Sequence, residues 1–147
     1  MSSTPVTDAV RHCLKQFGEN HPWPCGNERA LQDAIDRALR GFIPAMFREF
    51  PMEPPAKTAH RHGRPDFAVA TADGAAIIEV KLKDARGGIR QLESYMESET
   101  TVAGFHATEA ILFVGTASHE PRVSIRSQWA ETGFAPLTIF DPFSLTL

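Results

Sequence analysis

Gly63-Arg64-Pro65-Asp66-Phe67-Ala68-Val69-Ala70-Thr71-Ala72-Asp73-Gly74-Ala75-Ala76-Ile77-Ile78-Glu79-Val80-Lys81-Leu82 is the stretch that decides the fold. Two apolar runs, Phe67–Ala70 and Ala76–Leu82, flank an Asp-Gly pair, which is a strong hairpin-turn signal. If Asp73-Gly74 is a two-residue loop, Ala72 pairs with Ala75. Phe67 then faces Val80, Ala68 faces Glu79 and Asp66 faces Lys81. Side chains alternate between the faces of a strand. Asp66, Glu79 and Lys81 are therefore expected on one side, and Phe67, Val69, Ile78, Val80 and Leu82 on the other, buried side. Opposed residues on a sheet have Cβ atoms about 5 Å apart, so two carboxylates and an ammonium converge. An odd loop count would separate them.

Two carboxylates at that distance repel unless a cation lies between them. Mg²⁺ takes oxygen ligands, usually one or two carboxylates completed by water and phosphate oxygens. A neighbouring lysine can position a water or stabilise charge on a phosphate. Metal-assisted phosphodiester hydrolysis needs all three groups. A surface salt bridge across a hairpin is the plainer alternative for Glu79-Val80-Lys81 alone, but this strand is otherwise apolar and Pro65-Asp66 precedes it at hairpin distance.

Pro65-Asp66 followed by Glu79-Val80-Lys81 resembles the PD-(D/E)xK nuclease superfamily, which includes restriction endonucleases, Holliday-junction resolvases, repair nucleases and defence or toxin nucleases. The resemblance covers the middle third of the chain by motif and the outer thirds by order of elements. It implies an α/β fold, a restriction-endonuclease-like mixed β-sheet flanked by α-helices. It implies Asp66 and Glu79 as metal ligands, the Val80 carbonyl completing the metal shell, and Lys81 as the catalytic lysine. The cofactor it implies is Mg²⁺, with Mn²⁺ as a substitute. Many members carry a glutamate on the helix before the hairpin, and Glu28 in Asn27-Glu28-x-x-Leu31-Gln32-x-x-Ile35 matches it, with Glu49 and Glu53 as rivals. Members often carry Gln-x-x-x-Tyr on the following helix. Gln91 and Tyr95 match that pair, making Gln91 a candidate to orient the attacking water or a phosphate oxygen.

Composition sets the outer limits. A chain of 147 residues, 42% hydrophobic and 22% charged, is expected to form one soluble domain over residues 1–147. No apolar run is long enough to span a bilayer, and no hydrophobic signal segment opens the sequence, so no membrane partner is expected. Cys13 and Cys25 make no disulfide framework, which points to a reducing cytoplasm. A net charge of −3 does not announce a nucleic-acid binder, but binding needs only a local basic stripe. Arg61 and Arg64, in the densest basic segment, run straight into the hairpin. Lys83, Arg86 and Arg90 would extend a basic rim after it, holding phosphates beside the scissile bond. His60-x-His62 lacks the partners of a metal site.

Elsewhere, Val6, Val10, Cys13, Leu14 and Phe17 predict an amphipathic helix ending near Gly18. The Pro-rich loop at 20–26 is expected to pack Trp23 on the core. Asn27 caps a second helix reaching about Phe42, with Leu31, Ala34, Ile35, Ala38, Leu39 and Phe42 as its buried stripe. Residues 45–50 read as a further turn or a strand. Lys83–Gly88 reads as a turn, with a third helix over Ile89–Glu97. Ala110–Gly115 reads as a central strand, placed by a crossover parallel to the Glu79 strand, and Leu137–Phe140 as a last strand. Val123–Ile125 and a helix around Ser127–Glu131 fill the gap between them.

The expected function is a metal-dependent endonuclease, acting on DNA with structure-selective or weak sequence specificity, since the chain leaves little room for a sequence-reading domain. A toxin or anti-phage nuclease of the same fold, and a non-cleaving nucleic-acid-binding module, are the alternatives. A homodimer would supply two cuts on a duplex, and a targeting or regulatory protein partner would supply specificity.

Overall fold

The computed structural model describes residues 4–52, 64–115, 129 and 136–142. In chain order these form α1 (Pro5–Asn20), α2 (Glu28–Leu39), β1 (Ala45–Arg48), β2 (Phe67–Thr71), β3 (Gly74–Lys81), α3 (Ala85–Met96), β4 (Ala107–Val114) and β5 (Leu137–Phe140). The five strands make one mixed sheet in the order β1-β2-β3-β4-β5. β1, β2 and β3 pair antiparallel, and β4 and β5 add in parallel. The expected parallel placement of the Ala110 strand beside the Glu79 strand is thus met, with α3 as the crossover.

The hairpin closes two residues away from the expected register. Thr71 pairs with Gly74, leaving Ala72-Asp73 as the loop, and Phe67 pairs with Ile78 rather than Val80. The Asp73 N–H is taken by Thr71 Oγ1 at 3.1 Å, a local turn that places the bend one residue early. Gly74 sits at φ +145, open to glycine but strained for other residues. Because the slip is an even number, every side chain keeps its face. Continued one step, the register sets Asp66 opposite Glu79 instead of Lys81.

Both faces of the sheet are covered, in keeping with the expected mixed sheet flanked by α-helices. Phe67, Val69, Ile78 and Val80 pack with Ile111 and Phe113 under α1 and α2. On the other face Ile77, Leu112 and Val114 pack under Ile89, Leu92 and Tyr95 of α3, together with Met52 and Trp129. α3 begins at Ala85 and not at Ile89, because the Asp84 side chain accepts from the Gly87 N–H and caps it there. Gly87-Gly88 is therefore helical rather than a turn. Gly88 is where the helix touches the sheet: a Cβ there would come within 2.6 Å of Leu112 Cδ1 and 3.1 Å of Lys81 Cγ.

α2 ends at Leu39, and Gly41 (φ +84) turns the chain. Phe42 therefore leaves the helical stripe and is 69% exposed, not buried as its spacing suggested. Residues 45–48 resolve as strand β1, tied back to α2 by Arg48, whose Nη1 lies 2.7 Å from Asp33 and 3.3 Å from Asp36. Trp23 does pack on the core, its ring 5.1 Å from Phe17 and 5.2 Å from Phe113. Val123–Ile125, expected as a short strand or the lead into a helix, and the helix near Ser127–Glu131 lie outside the described residues, apart from buried Trp129.

α1 is capped from a distance. Thr4 makes no side-chain cap, and buried Glu109 of β4 accepts from the Val6 N–H at 3.1 Å and the Thr7 N–H at 2.7 Å. A carboxylate satisfies two orphan donors at the positive end of the helix, and charge-assisted bonds of this kind are strong. Glu109→Ala is expected to cost about 2–4 kcal/mol in urea unfolding, because both donors then lie buried without a partner. Glu109→Gln should cost less, since its carbonyl keeps one of the two bonds.

Candidate active site at the ends of β2 and β3

The site forms where β2 has stopped and β3 runs on. β2 begins at Phe67, so β3 beyond Ile78 has lost its partner strand on that edge. Asp66 takes over: its Oδ2 accepts from the Val80 N–H at 2.7 Å, and its own N–H donates to Glu79 Oε1 at 3.2 Å. Asp66 and Glu79 are thus held side by side by a reciprocal pair of main-chain to carboxylate bonds. The Asp66 carbonyl is fixed by the Glu49 N–H at 3.0 Å. Lys81, two residues along the same face, brings Nζ to 3.8 Å from Glu79 Oε2. The three residues expected to converge do so.

Glu79 is 2% exposed. Burial, and then the Asp66 charge beside it, push its carboxyl up to about 8, against the weaker pull of Lys81. Asp66 is also raised, by burial first, although the Val80 N–H, Glu79 and Lys81 act to lower it. The Tyr95 hydroxyl on α3 is raised by burial and by the charges of Glu79 and Asp66. Both acids thus hold their protons more tightly than free carboxyls, because burial disfavours their charged forms.

Of the acids proposed as a third member, Glu28 is half-buried, and its charge bears on Asp66, raising it. Glu49 is exposed, and Glu53 lies outside the described residues. The α2 side chain that touches Asp66 is a different one, Gln32, whose Nε2 donates to Asp66 Oδ1 at 3.1 Å. Its only sequence signal is its place one helical turn after Glu28. Gln91 lies on α3 one turn beyond Gly88, which packs beside Lys81, and one turn before Tyr95. Its Oε1 is buried with no hydrogen-bond partner. Arg64, Lys83, Arg86 and Arg90 are all solvent-exposed on the segments bordering the site, whereas Arg61 lies outside the described residues.

Among the described residues no three His, Cys, Asp or Glu side chains come close enough together to hold a metal by themselves. The donors on offer are two carboxylates and the main chain. A residue in an antiparallel ladder directs N–H and C=O to the same edge, so the Val80 carbonyl leaves β3 on the Asp66 side. The neighbouring Lys81 carbonyl turns the other way, to the Gly115 N–H at 2.9 Å. All of these donors are hard oxygens, of the kind Mg²⁺ prefers, and water would complete the shell of such an ion. The orphaned Gln91 oxygen is an acceptor of the kind such water needs. The residues present therefore fit a hard divalent cation.

Cys13 and Cys25 are both free thiols. Among the described residues no helix is long and apolar enough to cross a membrane.

No family model and no curated protein matches the chain. Among solved structures it is similar to the crystal structure of protein VC1899 from Vibrio cholerae, with a TM-score of 0.42 and 17% identity, over 92% of this chain and 29% of that one. The chain thus spans less than a third of the length of that protein, and a likeness this slight carries no assignment of activity.

Proposed function

We propose that the protein is a metal-dependent nuclease of the PD-(D/E)xK type with a restriction-endonuclease-like sheet, hydrolysing phosphodiester bonds in DNA. The observation that carries the reading is half-buried Asp66 beside buried Glu79, with Lys81 Nζ 3.8 Å from Glu79 Oε2, at the point where β2 ends. Asp66, Glu79 and the Val80 carbonyl would hold Mg²⁺ or Mn²⁺. When bound, the ion supplies a Lewis acid for the phosphoryl oxygen and for the leaving oxygen. Lys81 orients the attacking water and offsets charge developing on the phosphate. Gln91 Oε1 accepts a hydrogen bond from that water, and α3 with Tyr95 keeps bulk solvent from the acids. Arg64, Lys83, Arg86 and Arg90 hold the flanking phosphates, and Glu28 adds negative charge on the α2 side. A cytoplasmic setting agrees with the two free thiols. A homodimer would bring the second site that a double-strand cut requires.

The test is a panel of supercoiled, linear, single-stranded and branched DNA with Mg²⁺ or Mn²⁺, run with Asp66→Ala alongside. Metal-dependent cleavage that disappears in the variant is the expected result. A wild-type protein inert on the whole panel, or a variant that cuts equally well, sinks the reading.

A further inference from the structure

Asp66 lies just outside the ladder, and its carboxylate plane is not set by its own torsions, because the terminal torsion of an aspartate is broad. The Val80 N–H holds one of its oxygens, Oδ2, at 2.7 Å. The second donor is Gln32 Nε2 on Oδ1 at 3.1 Å. A carboxylate only accepts, so the amide must present its NH₂ group there. The two donors come from different elements, β3 and α2, and together they fix both oxygens. Gln32 is itself firmly placed. Leu31 and Ile35 on either side are fully buried, and Arg48 ties the next turn of α2 to β1 through Asp33 and Asp36.

We infer that Gln32 is the positioning residue of this site, holding the Asp66 carboxylate in the plane from which it ligates a divalent cation. The inference rests on the metal-dependent reading above. Partners that orient a ligand from behind typically cost 10–100-fold in metal affinity when removed, roughly the range expected here. Without Gln32 the carboxylate keeps its charge and its Val80 bond, so the ion should still bind, but weakly.

Direct Mn²⁺ binding by calorimetry on the full chain tests it, comparing wild type with Gln32→Met, which keeps length and helix propensity but has no donor. The expected result is a Kd raised about 10–100-fold. DNA cleavage in the same variant should need more Mn²⁺ for half-maximal rate, yet recover when Mn²⁺ is saturating. A purely structural role would instead lower the saturated rate and the metal-free urea midpoint together. Gln32→Ala takes the place of the methionine variant if that one does not unfold cooperatively. Wild-type affinity in the variant, within about twofold, overturns the positioning role while leaving the nuclease reading intact. A wild-type chain that binds no Mn²⁺ at millimolar concentration overturns both.

Discussion

Glu79→Gln is expected to abolish cleavage and, at pH 8 without metal, to make the protein more stable. The buried Glu79 carboxyl titrates near 8 in the folded chain, against an ordinary value of 4.5. Between those values the folded state binds the extra proton, so stability falls as pH rises through that window. Below about pH 4.5 the acid is neutral in both states and costs nothing. By pH 8 the accumulated penalty is on the order of 2–5 kcal/mol. The amide carries no charge to desolvate, and its oxygen can still accept from the Asp66 N–H. Urea unfolding of the two proteins should therefore coincide near pH 4.5 and diverge toward pH 8, the variant being the more stable. Added Mg²⁺ should narrow the gap at pH 8 by stabilising only the wild type, since the ion binds the ionised acid. Parallel unfolding curves at the two pH values would contradict the buried-acid account.

Lys81→Met is expected to lower the cleavage rate by about 10²–10³-fold while leaving Mn²⁺ binding in place. The methionine stem keeps the packing that Lys81 Cγ makes beside Gly88, where α3 approaches the sheet. What disappears is the ammonium that holds the Glu79 carboxyl down from 3.8 Å away. Glu79 should then titrate higher still, and the fall of metal-free stability with pH should extend above 8. The two variants thus leave different fingerprints: Glu79→Gln loses metal and rate together, whereas Lys81→Met loses rate alone. Plasmid cleavage and Mn²⁺ calorimetry on the same preparations separate them. A Lys81→Met protein cutting at the wild-type rate would remove the lysine from the chemistry.

The opposite signs for activity and stability have one cause. A site that concentrates negative charge in a covered sheet is costly to fold without its counter-ion. The covering matters as much as the acids. On an open sheet face Glu79 and Lys81 would make a solvated ion pair of little consequence. Under α3 the buried Glu79 carboxyl is instead pushed up to about 8.

Much of this was legible along the chain. Alternation alone put Asp66, Glu79 and Lys81 on one face, and that conclusion survived a hairpin that closed at Ala72-Asp73 instead of Asp73-Gly74, because only an odd slip exchanges faces. The strand run at 110–115 and its parallel placement followed from its unbroken apolar character and the helix before it. Three features could not be read that way. The start of α3 depended on an Asp84 cap competing with two glycines. The contact of Gln32 with Asp66 joins residues 34 positions apart. The capping of α1 by Glu109 spans more than 100 positions.

The amino-acid order by itself settled which side chains share a face, since period-two alternation is a local property of the backbone. Only the packed structure decided which acid neighbours which, and that the α2 contact to Asp66 comes from an amide rather than from Glu28. Those outcomes depend on where a helix crosses a sheet, and that is fixed by burial and side-chain volume summed over distant parts of the chain.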